Sequence, residues 1–204
     1  MRVDDIDQIK EVKLVMLGST TVGKTSIVTR LTKGFFNGES TSTIGTAFLS
    51  KTIPVDDIQV KIQIWDTGGS ERYRAMAPMY FQNADAAIIV YDITSAESFA
   101  DVETWLKELR DKGPENILIC LAGNKSDLSQ MRAITQENMC KYAQGHGIPI
   151  FKETSALTGE NVESLFTEIA RQLSKGVPNE PQMPKLELAE KNKTPTKEKT
   201  SCCN

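Results

Sequence analysis

The sequence has few of the features that a membrane-spanning, secreted or nucleic-acid-binding protein requires. No apolar run in its 204 residues reaches the roughly 18 residues that a transmembrane helix needs. A formal net charge of −3 argues against a broadly basic surface, so we expect no nucleic-acid partner. The N-terminal stretch 1–5 is acidic and lacks the apolar core of a secretory signal, and Arg2 excludes N-myristoylation.

Cysteine and histidine are also scarce, with four cysteines and one histidine. Cys120 lies in an apolar run and Cys140 in a predicted helix, which indicates reduced thiols of a cytosolic protein rather than a disulfide framework. His146 lies between two glycines in a predicted turn, and we interpret it as a solvated loop residue rather than a catalyst or ligand. The composition therefore predicts a globular cytosolic domain.

The strongest motif is the glycine-bounded loop Gly18–Thr25, which lies between an apolar run and a predicted helix. Strand, loop and helix in this order are the context of a phosphate-binding P-loop, and a chance match is expected only at about the 1% level. We expect Lys24 to reach the β- and γ-phosphates and the Thr25 hydroxyl to bind Mg²⁺. The residues expected to contact the nucleotide here are Ser19, Thr20, Thr21, Val22, Gly23, Lys24, Thr25 and Ser26.

Predicted strands and helices alternate along most of the chain. Strands are predicted at residues 12–17, 86–91, 117–122 and 148–151, and helices at residues 24–31, 97–109, 136–144 and 162–173. Residues 47–54 and 58–65 alternate apolar and polar side chains, which predicts a hairpin. The pattern predicts an α/β P-loop NTPase fold, a six-stranded, mostly parallel sheet with one antiparallel edge strand and helices on both faces.

Composition divides the chain into three parts. Residues 1–11 are a polar extension, predicted to be partly mobile, and residues 12–175 hold the predicted domain. Residues 176–204 contain no aromatic residue and four of the eight prolines, and such a segment cannot bury enough apolar area to offset the entropy of ordering. We therefore predict a disordered C-terminal tail.

Three further motifs follow predicted strands; the first is expected to support the metal and sense the γ-phosphate, and the other two predict the identity of the base. Asp66 opens Asp-Thr-Gly-Gly and is expected to support Mg²⁺ through water, while the Gly69 amide would sense a γ-phosphate. In Asn124–Asp127 the carboxylate can accept from guanine N1–H and N2–H₂, and the stem of Lys125 can cover the base. A backbone N–H in Thr154–Ala156 can meet guanine O6. Each motif alone is also an ordinary turn or helix-capping loop, but their order favours guanine.

Together these motifs resemble a Ras-superfamily small GTPase over residues 10–175. The finer resemblance is to the Rab family, and most to its early-endosomal branch, on the segments Ser42–Phe48, Trp65–Tyr73, Ala77–Tyr80 and Tyr91–Thr94. The resemblance implies that Thr43 binds Mg²⁺ and contacts the γ-phosphate. It also implies that Phe36 packs against guanine, that Ser155, Ala156 and Leu157 form the base loop, and that effectors face Ile44, Phe48, Trp65 and Tyr80.

The departures from the family pattern concern hydrolysis. The residues that the resemblance assigns to catalysis are Lys24, Thr43, Gly69 and Ser70. Ser70 stands where family members carry Gln, Gly68 where Ala is usual, and Thr20 where Gly or Ser is frequent. We therefore expect slow intrinsic hydrolysis. Leu157 replaces the usual Lys, but the backbone amide of Ala156 survives that change, so guanine binding is expected to persist.

The C-terminal residues Ser201-Cys202-Cys203-Asn204 resemble the double-cysteine ends of Rab proteins. The resemblance implies two geranylgeranyl groups on Cys202 and Cys203, added by prenylation machinery. Two lipid chains anchor a protein stably, whereas one binds only marginally. The implied location is the cytoplasmic face of endosomal or other vesicular membranes, cycling with the cytosol.

Three functions remain open at this point. The leading hypothesis is a guanine-nucleotide switch with an exchange factor, an activating protein and effectors of Rab type. The second is a constitutively GTP-bound adaptor with negligible turnover, motivated by Ser70. The third is an ATP-dependent kinase or ATPase on the same fold, and Asp127 and the lack of an obvious substrate or lid domain argue against it.

Overall fold

A computed structural model describes residues 8–36, 38, 43, 45–69 and 77–175. The strands are β1 (Gln8–Leu17), β2 (Thr46–Val55), β3 (Ile58–Thr67), β4 (Ala86–Asp92), β5 (Leu118–Asn124) and β6 (Ile150–Thr154). The α-helices are α1 (Lys24–Lys33), α2 (Ala77–Phe81), α3 (Ala96–Lys112), α4 (Gln136–Gly145) and α5 (Val162–Ser174). A 3₁₀-helix spans Ser126–Met131.

The strands form one six-stranded sheet in the order β2-β3-β1-β4-β5-β6. Every pairing is parallel except that of β2 with β3, which is antiparallel and places β2 at the edge. Asp92, Asn124 and Thr154 are in register at the ends of β4, β5 and β6. The predicted sheet is confirmed, and its carboxyl edge brings the loops of distant motifs together.

Helices cover both faces of the sheet because strand residues alternate between two apolar clusters. In β4, which is buried along its whole length, Ile88 and Val90 face the cluster that includes α1 and α5. Ala87, Ile89 and Tyr91 face the cluster that includes α3 and α4. A strand with two apolar faces reads as a continuous hydrophobic run, which is why the sequence predicted it well.

Element boundaries differ from the prediction where polar residues continue a strand. β1 begins at Gln8 rather than at residue 12, because residues 8–11 pair with β3 and Lys61 Nζ lies 2.7 Å from Glu11 Oε1. β6 spans Ile150–Thr154 rather than residues 148–151. α2 and the 3₁₀-helix were not predicted, since segments of one or two turns show little periodicity.

Some sequence predictions lie outside the described residues. These are the N-terminal stretch 1–7, the tail 176–204 with its two cysteines, and the segments around Ile44 and Ser70. Across the described part of the chain, no helix combines the length and apolar character needed to cross a bilayer.

Candidate nucleotide-binding site

The loop between β1 and α1 is held by close backbone packing. Gly18 has φ +135°, and a Cβ there would lie 2.2 Å from the carbonyl oxygen of Val90. Gly23 has φ +98°, and a Cβ there would lie 2.2 Å from Nδ2 of Asn124. Both positions therefore require glycine, for conformation and for space. The loop is packed against β4 and the end of β5, as a phosphate-binding loop requires.

Lys24 begins α1 and directs its ammonium group back over the loop. Its Nζ donates to the carbonyl oxygens of Gly18 and Ser19, both at 2.8 Å. Burial lowers the pKa of Lys24 to about 8, and the nearby Asp66 carboxylate opposes that shift. An ammonium group held in this way at a helix N-terminus is suited to an anionic ligand, whose charge would restore the ordinary pKa.

Oxygen atoms from three separate segments meet beside Lys24. The Thr25 hydroxyl donates to Asp66 Oδ2 at 2.6 Å and lies 2.7 Å from the Thr43 hydroxyl. Asp66 is fully buried, and its Oδ1 has no hydrogen-bond partner among the described residues. Burial raises the pKa of Asp66, against the effects of the Thr25 hydrogen bond and the Lys24 charge.

This oxygen cluster fits a hard divalent cation. Mg²⁺ prefers oxygen ligands, usually one or two from protein side chains together with water and substrate phosphates. The described residues contain no group of three or more His, Cys, Asp or Glu side chains that could hold a metal by themselves. A cation here would therefore depend on Thr25, Thr43, Asp66, water and phosphate oxygens, and the buried unpaired oxygen of Asp66 matches a metal-bound water.

Gly69 lies at the end of the site where phosphates are predicted to bind. A Cβ at Gly69 would lie 2.5 Å from the carbonyl oxygen of Ser19 and 2.6 Å from Lys24 Nζ. The segment after β3 thus lies directly against the P-loop, where only glycine fits. Ser70, the next residue, lies outside the described residues.

The end of the site where the base is predicted to bind is assembled around Asn124, which is 1% exposed. Its Nδ2 donates to the carbonyl oxygen of Val22 at 2.9 Å. Its Oδ1 accepts from the Thr154 hydroxyl and from the backbone N–H of Ala156, both at 3.3 Å. One amide side chain therefore joins the P-loop, the end of β5 and the loop after β6.

Asp127 and Lys125 are each oriented by a second residue. The buried Ser155 hydroxyl donates to Asp127 Oδ1 at 2.5 Å. Lys125 has a left-handed backbone (φ +69°), and its Nζ lies 2.6 Å from Asp92 Oδ2. Burial would raise the pKa of Asp92, but Lys125 and Thr94 outweigh burial and lower it. The carboxylate of Asp127 and the stem of Lys125 are thus both fixed beside Asn124.

Sequence reasoning missed the supporting residues of this site. Asp92 entered only as part of the Tyr91–Thr94 resemblance, although a carboxylate that ends a buried strand next to the base loop was a usable signal. Asp101 on α3 accepts from the Ser19 hydroxyl at 2.5 Å and lines, with that residue, a cleft of about 330 Å³ along the P-loop. Arg30 on α1 bonds to the base loop. No local pattern indicates either contact.

The predicted effector-facing residues are partly assembled. The rings of Phe48 and Trp65 meet edge to face at 5.8 Å, on paired positions of β2 and β3. Phe48 is 58% exposed, whereas Trp65 and Tyr80 pack on the apolar cluster below. Lys13 Nζ lies 4.7 Å from the centroid of Trp65. Among the described members of this group, Phe48 is therefore the accessible one, and Trp65 is partly core.

Other sequence-predicted residues have mixed outcomes. The side chains of Phe36 and Leu157, expected near the base, are both exposed. Cys120 and Cys140 are free thiols, and burial raises the pKa of Cys120. His146 is more than a solvated loop residue, because its ring stacks on Tyr142 at 4.2 Å and lies 3.6 Å from Glu103.

Comparison with known proteins agrees with this geometry. A family model described as the Ras family matches residues 13–175. The chain is 45% identical over 198 residues to the Ras-related protein Rab-5A of Dictyostelium discoideum, which covers 97% of this chain and 98% of that protein. With that coverage and identity, the chain belongs to the Ras family of small GTPases and, within it, to the Rab branch that its motifs predicted.

Proposed function

We propose that the protein is a guanine-nucleotide switch that binds GTP and GDP together with Mg²⁺. The observation that carries the proposal is the 2.9 Å hydrogen bond from Asn124 Nδ2 to the Val22 carbonyl, which joins the base-facing loops to the phosphate loop. Beside it, Ser155 orients the Asp127 carboxylate. A carboxylate held in that way accepts from guanine N1–H and N2–H₂, a pattern that adenine does not offer.

At the phosphate end, residues of this chain bind and orient the nucleotide. Lys24 donates to β- and γ-phosphate oxygens, and the N-terminus of α1 adds favourable backbone dipoles. The hydroxyls of Thr25 and Thr43 would hold Mg²⁺, and Asp66 would support it through water. The chemistry that a bound cation would supply is neutralisation of phosphate charge during transfer of the γ-phosphoryl group to water.

We further propose that intrinsic hydrolysis is slow. Ser70 stands where the family carries a Gln that orients the attacking water, and serine has a shorter side chain with no amide. Gly68 adds backbone freedom to the same segment, and Thr20 adds bulk near the γ-phosphate. The rate is expected to be no faster than the roughly 10⁻⁴ s⁻¹ of unassisted small GTPases.

A constitutively GTP-bound adaptor is the second candidate, and Ser70 is again the observation that favours it. Both candidates share the same nucleotide site, because the proposed phosphate, metal and base contacts do not involve Ser70. They differ in turnover. An activating protein of Rab type can supply an arginine and a glutamine in trans, so a switch with slow intrinsic hydrolysis still completes its cycle.

The membrane part of the proposal is a role in vesicle or endosomal traffic. The 45% sequence identity to Rab-5A and the C-terminal residues Cys202 and Cys203 support this role. In this proposal the prenylation machinery modifies both cysteines, and the lipids hold the protein on the cytoplasmic face of the membrane. An exchange factor, an activating protein and effectors act on the GTPase domain, with Phe48 in the effector surface.

Nucleotide selectivity tests the proposal directly. The full chain is loaded with a fluorescent GDP analogue and challenged with GTP, ATP or XTP. A site built to satisfy the hydrogen bonds of its ligand rejects an analogue by roughly 10⁴–10⁵, so ATP should compete that much more weakly than GTP. Equal displacement by ATP and GTP would overturn the proposal in favour of an ATP-dependent enzyme.

Substitution of the base-reading carboxylate sharpens the test. Asp127→Asn replaces an acceptor with a group that can donate, and preference should shift from GTP toward XTP. The matched control is Asp111→Asn, the same change at an exposed position of α3, which should leave selectivity unchanged. An Asp127→Asn protein with wild-type selectivity would contradict the assigned role of this residue.

A further inference from the structure

Arg30, in the last turn of α1, donates to three backbone carbonyls in two separate loops. Its Nε donates to Ala156 O at 2.8 Å and its Nη2 to Leu157 O at 2.5 Å. Its Nη1 donates to Gly34 O at 2.7 Å. The first two acceptors lie in the loop after β6, and the third is the residue that ends α1. A single guanidinium group therefore ties these two segments to the same helix.

The two segments carry different parts of the nucleotide site. The loop after β6 presents the backbone N–H groups that are proposed to meet guanine O6. Gly34 lies two residues before Phe36, at the start of the segment that leads to Thr43. Arg30 thus connects the base-reading loop with the segment that leads to Thr43. All three of its acceptors are backbone carbonyls of these segments.

The base-reading loop is closed by its own hydrogen bonds. The N–H of Gly159 donates to Ser155 O at 2.8 Å, and the N–H of Thr158 donates to the Ser155 hydroxyl at 3.1 Å. Gly159 has φ +88°, and a Cβ there would lie 3.6 Å from Arg30 Cδ. The loop is therefore a compact turn lying on the Arg30 stem, and Arg30 fixes where that turn lies relative to α1.

We infer that Arg30 is a positioning residue for guanine recognition, holding the Ala156 backbone amide in line with the base. This inference rests on the proposed function and deepens it. A planar guanidinium group can donate to two successive carbonyls and to a third acceptor with fixed geometry. A lysine ammonium group is a compact point charge and cannot reproduce that arrangement of donors. The role predicts that Arg30 controls how long guanine nucleotides stay bound and how strongly O6 is recognised.

The test measures dissociation rates of three diphosphates from the full chain by stopped-flow displacement. GDP carries both O6 and the 2-amino group, IDP lacks the 2-amino group, and 2-aminopurine riboside diphosphate lacks O6 together with the N1–H that Asp127 is proposed to read. The proteins are wild type, Arg30→Ala, Arg30→Lys and Arg110→Ala. Arg110 is the matched control, because it also donates to a loop carbonyl, that of His146 at 2.6 Å, but takes no part in the nucleotide site.

Arg30→Ala and Arg30→Lys should both release GDP at least about tenfold faster than wild type, a factor that the net loss of one or two hydrogen bonds can supply. The diagnostic quantity is a ratio of rates. In wild type the analogue without O6 should leave faster than GDP, and in the Arg30 variants that difference should shrink, because the amide that reads O6 is displaced. The ratio of the IDP and GDP dissociation rates, which depends on Asp127, should change less. Arg110→Ala should release all three diphosphates at wild-type rates.

Unchanged GDP release in the Arg30 variants would overturn the inference. Equal acceleration of all three diphosphates, with both ratios as in wild type, would also overturn it, because a purely structural tie gives that result. If Arg30→Ala does not fold, Arg30→Lys carries the same test with the positive charge retained. Failure of the proposed function is distinguishable, since wild type itself would then exchange GDP for ATP as readily as for GTP.

Discussion

The hydroxyl of Thr25 donates to Asp66 Oδ2 across 2.6 Å. This contact joins the first turn of α1 to the last residues of β3, 41 positions apart in the chain. The second oxygen of Asp66 is buried and has no partner in the part of the chain that the structure describes, which costs about 1–3 kcal/mol. A metal-bound water at this oxygen would recover that free energy, so Mg²⁺ is expected to stabilise the folded domain as well as the bound phosphates.

Thr25→Asn should weaken GTP binding more than GDP binding. The substitution removes the hydroxyl ligand, and the γ-phosphate adds metal contacts that depend on a well-formed Mg²⁺ site. Affinities for both nucleotides, measured by displacement at several Mg²⁺ concentrations, test the expectation. Equal losses for GTP and GDP would contradict the metal role of Thr25. The control is Thr32→Asn, on the same helix, where the hydroxyl donates to Val28 O at 2.8 Å.

Phe48→Ala should weaken effector binding without unfolding the protein. Phe48 is 58% exposed, so its truncation leaves little cavity, whereas aromatic anchors of interfaces commonly contribute about 2 kcal/mol or more. Trp65→Ala, in contrast, should also lower the thermal midpoint of unfolding, because Trp65 packs on the core cluster. Calorimetry and a binding titration with a GTP-dependent partner separate the effects. If Phe48→Ala binds the partner with wild-type affinity, Phe48 is not part of the effector surface.

Asp92→Asn should destabilise the domain at neutral pH and less so in acid. The pKa of Asp92 is lower in the folded state, since hydrogen bonds from Lys125 and Thr94 outweigh burial. Its contribution is therefore complete above the unfolded pKa near 4 and is lost as pH falls through the folded value.

We expect a loss of about 1–2 kcal/mol in the free energy of unfolding at pH 7 for Asp92→Asn, the worth of a charge-assisted hydrogen bond. Urea unfolding at pH 7 and at pH 3.5, with equal nucleotide loading, measures it. Asp57→Asn, at an exposed position of the β2–β3 turn, is the control. A difference between wild type and Asp92→Asn that does not narrow in acid would show that the charge of Asp92 is not responsible.

Ser70→Gln should hydrolyse GTP faster than wild type. Glutamine restores an amide that can orient the attacking water, which serine cannot do at that reach. Phosphate release after a single turnover, from both proteins preloaded with GTP, measures the rate, and unchanged GDP dissociation is the control for an intact site. A wild-type rate equal to or above that of Ser70→Gln would mean that Ser70 is not the limiting feature. Undetectable wild-type release would favour the adaptor.

Stable membrane attachment should require Cys202 and Cys203 together. Two lipid chains anchor a protein, and one gives only marginal binding. Replacing both cysteines with serine should leave a nucleotide-competent protein in the unbound fraction, and replacing one should give weak or mislocalised binding. Membrane fractionation from cells that carry prenylation enzymes measures both. Unaltered fractionation of the double variant would exclude the lipid anchor.

The motifs that are proposed to contact the nucleotide were predictable because each is local. Gly18–Thr25 and Asn124–Asp127 are short segments that follow buried strands, and both the spacing and the residue types are visible in the sequence. The parallel sheet followed from the alternation of strands and helices, and right-handed connections then bring the strand ends to one edge. The sequence could therefore indicate which loops meet.

The supporting contacts could not be predicted, because they join residues far apart in the chain. Arg30 and Ala156 are separated by 126 positions, and Ser19 and Asp101 by 82. An arginine or an aspartate on a helix is most often a solvated residue, and only packing decides otherwise. The extension of β1 to Gln8 is similar, since its polar residues gain their strand conformation from pairing with β3.

The position of β4 has a consequence for hydrogen exchange. β4 is fully buried, and β1 and β5 pair with it on its two sides. Its amides should therefore exchange only when the whole domain unfolds, whereas the edge strand β2 can open locally at lower free energy. Because β2 carries Phe48 and follows the segment of Thr43, the side of the molecule that is proposed to face effectors is expected to loosen or tighten with the nucleotide while the centre of the sheet stays closed to solvent.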